Sequence, residues 1–338
     1  MTPATLHRRR WLGALALVGL GLWQPAWSAA AAAAAAAPTP AKPRIADAWF
    51  AHNALLAMLG ASGQVVATVA RPQSFVWLYR VAPDLHQAEP ITGGTMNAEE
   101  LLRLKTDLVF VTPADPSAEA LRRAGLNVIP VSFTDVDSML RCIDLTARAV
   151  GGPLALQRAT DYRRYLEQAL AEVKQSVAAI PAPRRPRVLH LASVNPLKVD
   201  GADTIVDQWI TAAGGRNAAD GLRGNLQTVS IEQVLAWNPD VIIIAGNGGT
   251  LDSSPSKALW DDVPAVRAGR VYRNPSGVFP WDRYGPELAL QLRWAAQVLH
   301  PELKAGPTPL VQRTQAFYQR FFAYDLSAAD AAAIIAAR

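Results

Sequence analysis

Two stretches of the chain set arginine among aromatic rings. Arg71-Pro72-Gln73-Ser74-Phe75-Val76-Trp77-Leu78-Tyr79-Arg80 carries two arginines and three aromatics, and Val278-Phe279-Pro280-Trp281-Asp282-Arg283-Tyr284 carries one arginine and three aromatics. A guanidinium draws anions through charge-assisted hydrogen bonds, and ring faces cover organic or apolar surface. That chemistry is binding, with structural alternatives beside it. The aromatics of the first stretch could instead pack inward from a loop helix. Trp281 could be buried between loop and core, with Arg283 paired to Asp282 or Glu287. Asn195 and Asn247 follow apolar runs and either donate to a ligand or close turns; between Gly246 and Gly248 the turn is the stronger reading for Asn247. His52 stands close behind the first apolar run, where it is either a weak metal-ligand candidate or a structural helix-start residue.

Catalytic constellations are missing from the sequence. There is no G-x-S-x-G elbow for a serine nucleophile, and the five His show neither H-x-x-x-H nor H-E-x-x-H spacing. A single cysteine, Cys142, excludes an internal disulfide framework and a cysteine-based zinc or iron–sulfur site. Gly246-Asn247-Gly248-Gly249 follows an apolar run but lacks the full G-x-G-x-x-G of a dinucleotide loop. The reading is a protein that is not an enzyme and has no cofactor.

The elements that must hold these stretches alternate in type. Short apolar runs at 44–49, 64–69, 107–111 and 127–131 read as strands, and amphipathic stretches at 52–59, 98–104, 116–124 and 136–150 read as helices. Such alternation implies a parallel sheet with helices on its faces. After Gly151-Gly152-Pro153 a long helix is expected over 155–179, because Ala159, Tyr162, Leu166, Ala169, Val173, Val177 and Ile180 step by three or four along one face. The alternation then restarts, with strands at 187–191, 241–245 and 271–273 and helices at 205–213, 231–237 and 284–299; the tail over 314–337 reads as mostly helical. An ungapped internal match lays Glu99, Leu102 and Asp107 on Glu232, Leu235 and Asp240, each half giving an acid-led helix, an Asp turn and a buried strand. The fold class is therefore α/β: two similar lobes, each a mostly parallel sheet flanked by helices, joined by one long backbone helix.

Length and composition agree. At roughly 150 residues per domain, 338 residues make about two domains, and 50% hydrophobic residues suffice for real cores. No apolar run reaches the roughly 18 residues of a membrane span. The N-terminus reads as an address: Arg8-Arg9-Arg10-Trp11-Leu12 is a basic start of twin-arginine type, residues 12–23 are apolar, and Ala26-Trp27-Ser28 offers small residues for cleavage. The expected organisation is a signal peptide over 1–28, a flexible Ala/Pro leader over 29–43, an N-terminal lobe over 44–153, a linking helix over 154–182, a C-terminal lobe over 183–305 and a helical tail over 306–338 packed on the C-terminal lobe. Removing Arg8, Arg9 and Arg10 leaves 30 basic against 28 acidic residues, a balance of +2, so the basic leader alone is no case for nucleic acid. With no Cys near the cleavage site, a soluble periplasmic protein that is not a lipoprotein is expected.

This order of parts resembles the class III periplasmic substrate-binding proteins of ABC importers, the iron–siderophore and cobalamin group. The resemblance covers about residues 44–301 and is carried by the two acid-helix-Asp-strand segments, the long linking helix, and Gly269-Arg270-Val271-Tyr272-Arg273-Asn274-Pro275 followed by Trp281-Asp282-Arg283-Tyr284-Gly285-Pro286-Glu287. At Ala46-Asp47-Ala48-Trp49 the sequence departs from the Ser-Pro more frequent in the family. The resemblance implies a monomer that captures a metal chelate, foremost a ferric siderophore, in a cleft between the lobes and hands it to a permease dimer in the inner membrane. A corrinoid, haem or another metallophore is the alternative, and a periplasmic sensor, scaffold or enzyme on the same fold is the alternative of another class. In such a cleft the ligand-binding candidates are Arg71, Trp77, Tyr79, Asn195, Trp281, Arg283 and Tyr284. Glu99 and Glu232, in matching places of the two lobes, are implied to meet the two permease subunits; the helix dipole alone also favours an acid there.

Overall fold

The computed structural model describes residues 42–92, 96–303 and 308–338; the segment read as a signal peptide and nearly all of the leader lie outside the described residues. The first half runs β1 (Ile45–Asp47), α1 (Phe50–Met58), β2 (Val65–Thr68), α2 (Val76–Val81), β3 (Glu89–Pro90), α3 (Ala98–Arg103), β4 (Leu108–Val111), α4 (Ala118–Arg123), β5 (Asn127–Pro130) and α5 (Val136–Val150). Helix α6 (Pro153–Val177) leads to β6 (Arg187–Val194), β7 (Leu197–Val199), α7 (Ile205–Ala212), β8 (Arg216–Asn217), β9 (Gln227–Thr228), α8 (Ile231–Trp237), β10 (Val241–Ile244), α9 (Lys257–Trp260), α10 (Pro264–Arg267), β11 (Val271–Arg273), α11 (Leu288–Leu299), α12 (Leu310–Phe322) and α13 (Ala328–Ile335).

Two sheets result. The first has the order β3-β2-β1-β4-β5 and is parallel throughout. The second has the order β11-β10-β6-β7-β9, with β8 beside β6; β10 runs parallel to β6 and β11, while β7 turns back antiparallel. The internal match has a structural basis. The Asp107 carboxylate accepts the backbone N–H of Arg44 at 2.8 Å, and the Asp240 carboxylate accepts that of Arg187 at 2.7 Å. In each lobe an Asp ahead of one buried strand thus ties down the start of its neighbour.

Period-two alternation buries both sheet faces. Leu108 and Phe110 point into one core while Val109 and Val111 point into another; Val241 and Ile243 part from Ile242 and Ile244 in the same way. The inner faces of the two sheets share a continuous core with α6, which contributes Ala159, Tyr162, Leu166, Ala169, Val173 and Val177 along the expected stripe. At about 1.5–3 kcal/mol per large apolar side chain removed from water, that shared core holds the lobes firmly to the connecting helix. Gly151 and Gly152, at φ of 73° and 82°, turn the chain so that Pro153 can open α6.

The tail is helical but does not confine itself to the C-terminal lobe. Phe317 and Phe321 of α12 pack on Tyr165 and Tyr162 of α6, and Tyr318 meets the edge of Trp77 in the N-terminal lobe. The aromatic spacing of α12 supplies rings on more than one side, which lets it reach past a single neighbour. Among the described residues, no helix is long and apolar enough to cross a membrane.

Candidate functional site

Residues that follow the C-terminal ends of the strands face each other between the lobes, the usual place for a ligand in a parallel α/β sheet. From the N-terminal lobe come Trp49 after β1, Phe75 beyond β2 and Phe133 beyond β5; from the other come Phe279 and Tyr284 on the segment joining β11 to α11. Tyr284 lies with its ring centroid 5.9 Å from Trp49 and 5.6 Å from Phe133, which are 5.0 Å from each other. Phe279 stacks on Phe75 at 5.8 Å, and Phe75 on Phe50 at 5.6 Å. Rings from both lobes therefore close on one another across the boundary.

Beside this aromatic contact lies a cavity of about 590 Å³, lined by Phe75, Trp77 and Arg80 on one side and by Asn247, Ser276 and Pro280 on the other, with α13 along its margin. Ligand pockets typically hold about 300–1,000 Å³. A second hollow of about 560 Å³ lies away from these rings, between α5, α6 and α7.

The sequence-derived candidates divide into two groups. Arg283 and Tyr284 sit together at the boundary, and Trp77 lines the cavity. The others are occupied elsewhere. Arg71 donates to the carbonyls of Thr68, Ala70 and Ile91, so its guanidinium stitches the loop after β2 to the strand beside it. Tyr79 is buried, donates its hydroxyl to the Ala70 carbonyl, and has its ionisation pushed up by burial. Trp281 is fully buried and donates its indole N–H to Glu287 at 3.0 Å. Asn195 is exposed in the turn between β6 and β7. His52 is buried between Asp47 at 3.1 Å and Thr146 at 2.8 Å. Among the described residues no group of three His, Cys, Asp or Glu side chains is arranged to hold a metal ion.

Behind Arg283 stands a network the sequence reading did not anticipate. His190, fully buried in β6, places Nδ1 2.8 Å from Asp200 and Nε2 2.9 Å from Asp282. An ionised carboxylate only accepts hydrogen bonds, so a carboxylate at each ring nitrogen favours the cationic imidazole, in which both nitrogens donate. Burial opposes that charge, but the two carboxylates outweigh it and raise the His190 pKa. Burial likewise opposes ionised Asp282, and Arg283 and His190 together hold its carboxyl well below the usual range. Asp282 carries Arg283, whose Nε lies 3.2 Å away and whose side chain is 19% exposed. Asp200 accepts the N–H of Leu226, and Asn225 donates to the Tyr284 hydroxyl at 2.6 Å. His190 alone reads as one more buried strand residue; its two acids have no motif spacing to it.

The segment from Asn274 to Glu287 is shaped by a second buried acid. Glu287 accepts from the N–H groups of Val278 and Phe279, the Trp281 indole and the Tyr318 hydroxyl. Burial nevertheless pushes its pKa up to about 7. Gly277 is obligatory here, since a Cβ at that position would overlap the Glu287 carboxylate and the Tyr318 hydroxyl. The glycine loop at 246–249 is likewise structural: Arg273 donates to the carbonyls of Ala245, Gly246 and Gly249, so those carbonyls are turned to a cation.

The two expected docking acids occupy matching positions. Glu99 and Glu232 are each the second residue of their helix, α3 and α8, and both are exposed.

Residues 51–277 match the family of periplasmic binding proteins. The molybdate-binding protein MolA of Haemophilus influenzae is 28% identical over 268 residues, 72% of this chain and 75% of that one. Its structure with molybdate superposes with a TM-score of 0.73 at 21% identity, covering 85% of this chain and 95% of that one. A periplasmic solute-binding protein from Veillonella parvula superposes with a TM-score of 0.74 at 24% identity, covering 88% and 92%.

Proposed function

The chain belongs to the periplasmic binding protein family, and on that premise we propose that it is the receptor of an ABC importer for a small metal-containing anion. The ligand class is a metal oxyanion of the molybdate kind or a compact metal chelate, held between the lobes. The observation that carries this reading is Arg283, a charged side chain 19% exposed beside Tyr284, where rings of both lobes meet. An arginine fixed by a carboxylate presents its remaining N–H groups in a set direction, which suits a compact anion. The molybdate-binding relative supports the same class.

A ferric siderophore-type chelate is the second reading. The aromatic lining of the 590 Å³ cavity, Phe75 and Trp77, favours it, because ring faces cover an organic scaffold. In either case delivery is to a permease in the inner membrane, with Glu99 and Glu232 as one contact point per lobe. Exposed charges of that sort steer encounter and fix orientation.

The test is a titration of the purified protein with sodium molybdate, sodium tungstate, sodium sulfate, a ferric catecholate and cobalamin, followed by intrinsic tryptophan fluorescence and calorimetry. Saturable binding of molybdate and tungstate but not sulfate is expected. Binding of the ferric catecholate alone would move the assignment to the second reading, and binding of none of the metal compounds would contradict both.

A further inference from the structure

Five residues of the C-terminal lobe form an unbroken chain of contacts beside Tyr284, whose ring meets Trp49 and Phe133 of the other lobe. The N–H of Leu226 binds Asp200 at 2.9 Å, Asp200 binds His190 at 2.8 Å, His190 binds Asp282 at 2.9 Å, and Asp282 binds Arg283 at 3.2 Å. The bond from Asn225 to Tyr284, neighbours of the two ends, closes it into a ring. The interior of the ring is buried: His190 and Asp282 are 0% exposed and Asp200 is 2% exposed. Its ends are not, since Leu226 is 49% exposed and the Arg283 side chain 19%.

Stability alone is a poor reason for such a core. Taking one imidazolium and two carboxylates out of water is costly, and apolar replacements of buried ionic groups are frequently neutral or stabilising. The network does have a consequence at the surface. Leu226 is held at φ 59°, a left-handed conformation that disfavours a branched side chain, and its apolar group faces solvent. Arg283 is turned toward Asp282 by two of its nitrogens. Both surface features are fixed by carboxylates that His190 holds apart by one ring width.

We propose that His190 is a positioning residue for ligand capture, clamping Asp200 and Asp282 so that Arg283 and Leu226 stand as a fixed cation and an apolar lip at the mouth of the cleft. The proposal rests on the reading that Arg283 meets the ligand. It implies that His190 acts on affinity only through Arg283 and Leu226.

The experiment is a double-mutant cycle with sodium molybdate as the probe, on wild type, His190→Gln, Arg283→Ala and the double variant, with the Arg283 Nε–H followed by ¹⁵N NMR. Arg283→Ala is expected to weaken binding roughly 10- to 150-fold, the range for losing a charged hydrogen bond. His190→Gln should weaken it about tenfold, the double variant should be weaker than Arg283→Ala by much less than that tenfold, and an Nε–H of Arg283 protected from exchange in the wild type should lose its protection in His190→Gln. Wild-type affinity in His190→Gln, effects that multiply in the double variant, or retained protection of that Nε–H would each overturn the positioning role. Unchanged affinity in Arg283→Ala, or no molybdate binding by the wild type, would instead remove the reading beneath it, and the NMR result then decides the positioning role alone. Should His190→Gln fail to fold, the isosteric Asp200→Asn takes its place, with the same outcomes expected.

Discussion

The two walls of the cleft treat their charges differently. In the N-terminal wall, Arg71 is bound to three backbone carbonyls and His52 to Asp47 and Thr146, while Arg80 lies over the Trp77 ring and 3.8 Å from Asp330. What that wall brings to the proposed site is chiefly aromatic: Trp49, Phe75 and Trp77. In the C-terminal wall a buried histidine is also held by an acid, but the chain of contacts continues through a second acid to an arginine at the surface. In the proposed site one wall supplies mostly aromatic cover and the other supplies the directed cation. An arginine in a loop sequence does not disclose which of these it serves, because the answer depends on which acceptors the fold brings to it.

The largest effect expected is on stability, at a residue that looks like a ligand contact in the sequence. Trp281→Ala opens a void in a closed site and removes one donor from Glu287, costing roughly 3–5 kcal/mol, or about 10 °C in Tm. Thermal melting checks it, and a Tm near wild type with weakened ligand binding would return Trp281 to the cleft.

The arginines sharpen the contrast between the walls. Arg283→Ala should lower affinity far more than Arg71→Ala, while Arg71→Ala should lower Tm with little change in affinity, since it cuts three bonds to backbone carbonyls. Equal losses of affinity from the two variants, measured by calorimetry, would erase the division of labour.

The pH dependence of stability tests the buried acids. Glu287 is raised from 4.5 to about 7, so its contribution is complete below the unfolded value and is lost as pH rises through about 7. His190 is raised above 6.5 and adds a loss in the same direction. Asp200 and Asp282, lowered from 3.8, contribute above that value and lose it as pH falls. Tm should therefore be highest in mildly acidic solution and decline from about pH 5 toward pH 8. Glu287→Gln should flatten that decline, and an unchanged slope in the variant would remove Glu287 as its source.

Much of the frame was legible from pattern. The bounds of α5, α8 and β11 coincide with the apolar periodicity, and the stripe on α6 is the one its spacing implied. The short strands β3, β8 and β9, with two residues each, carry no pattern to read. The helix expected from Tyr284 begins at Leu288 because Gly285 and Pro286 stay in the turn and Glu287 folds its side chain back on Val278 and Phe279. The site was legible only in its outer residues. His190 meets Asp200 across ten positions and Asp282 across 92, and no local spacing encodes a contact of that range.

On the purified protein, the smallest effects should come from the exposed acids and from lobe motion. Glu99→Arg and Glu232→Arg should leave ligand binding unchanged and abolish uptake by cells; normal uptake by the double variant would remove the docking role. Small-angle scattering with and without ligand should give nearly equal radii of gyration, because α6 and both inner sheet faces share one core. A change of several ångströms would contradict it.

The central claim, that a metal-containing anion sits against Arg283 between the two walls, is tested most directly by anomalous diffraction from crystals grown with molybdate. The account predicts a molybdenum peak placed so that a molybdate oxygen accepts from the Arg283 guanidinium, next to Trp49, Phe133 and Tyr284. A peak in the hollow between α5, α6 and α7, or no peak between the lobes at saturating molybdate, would contradict it.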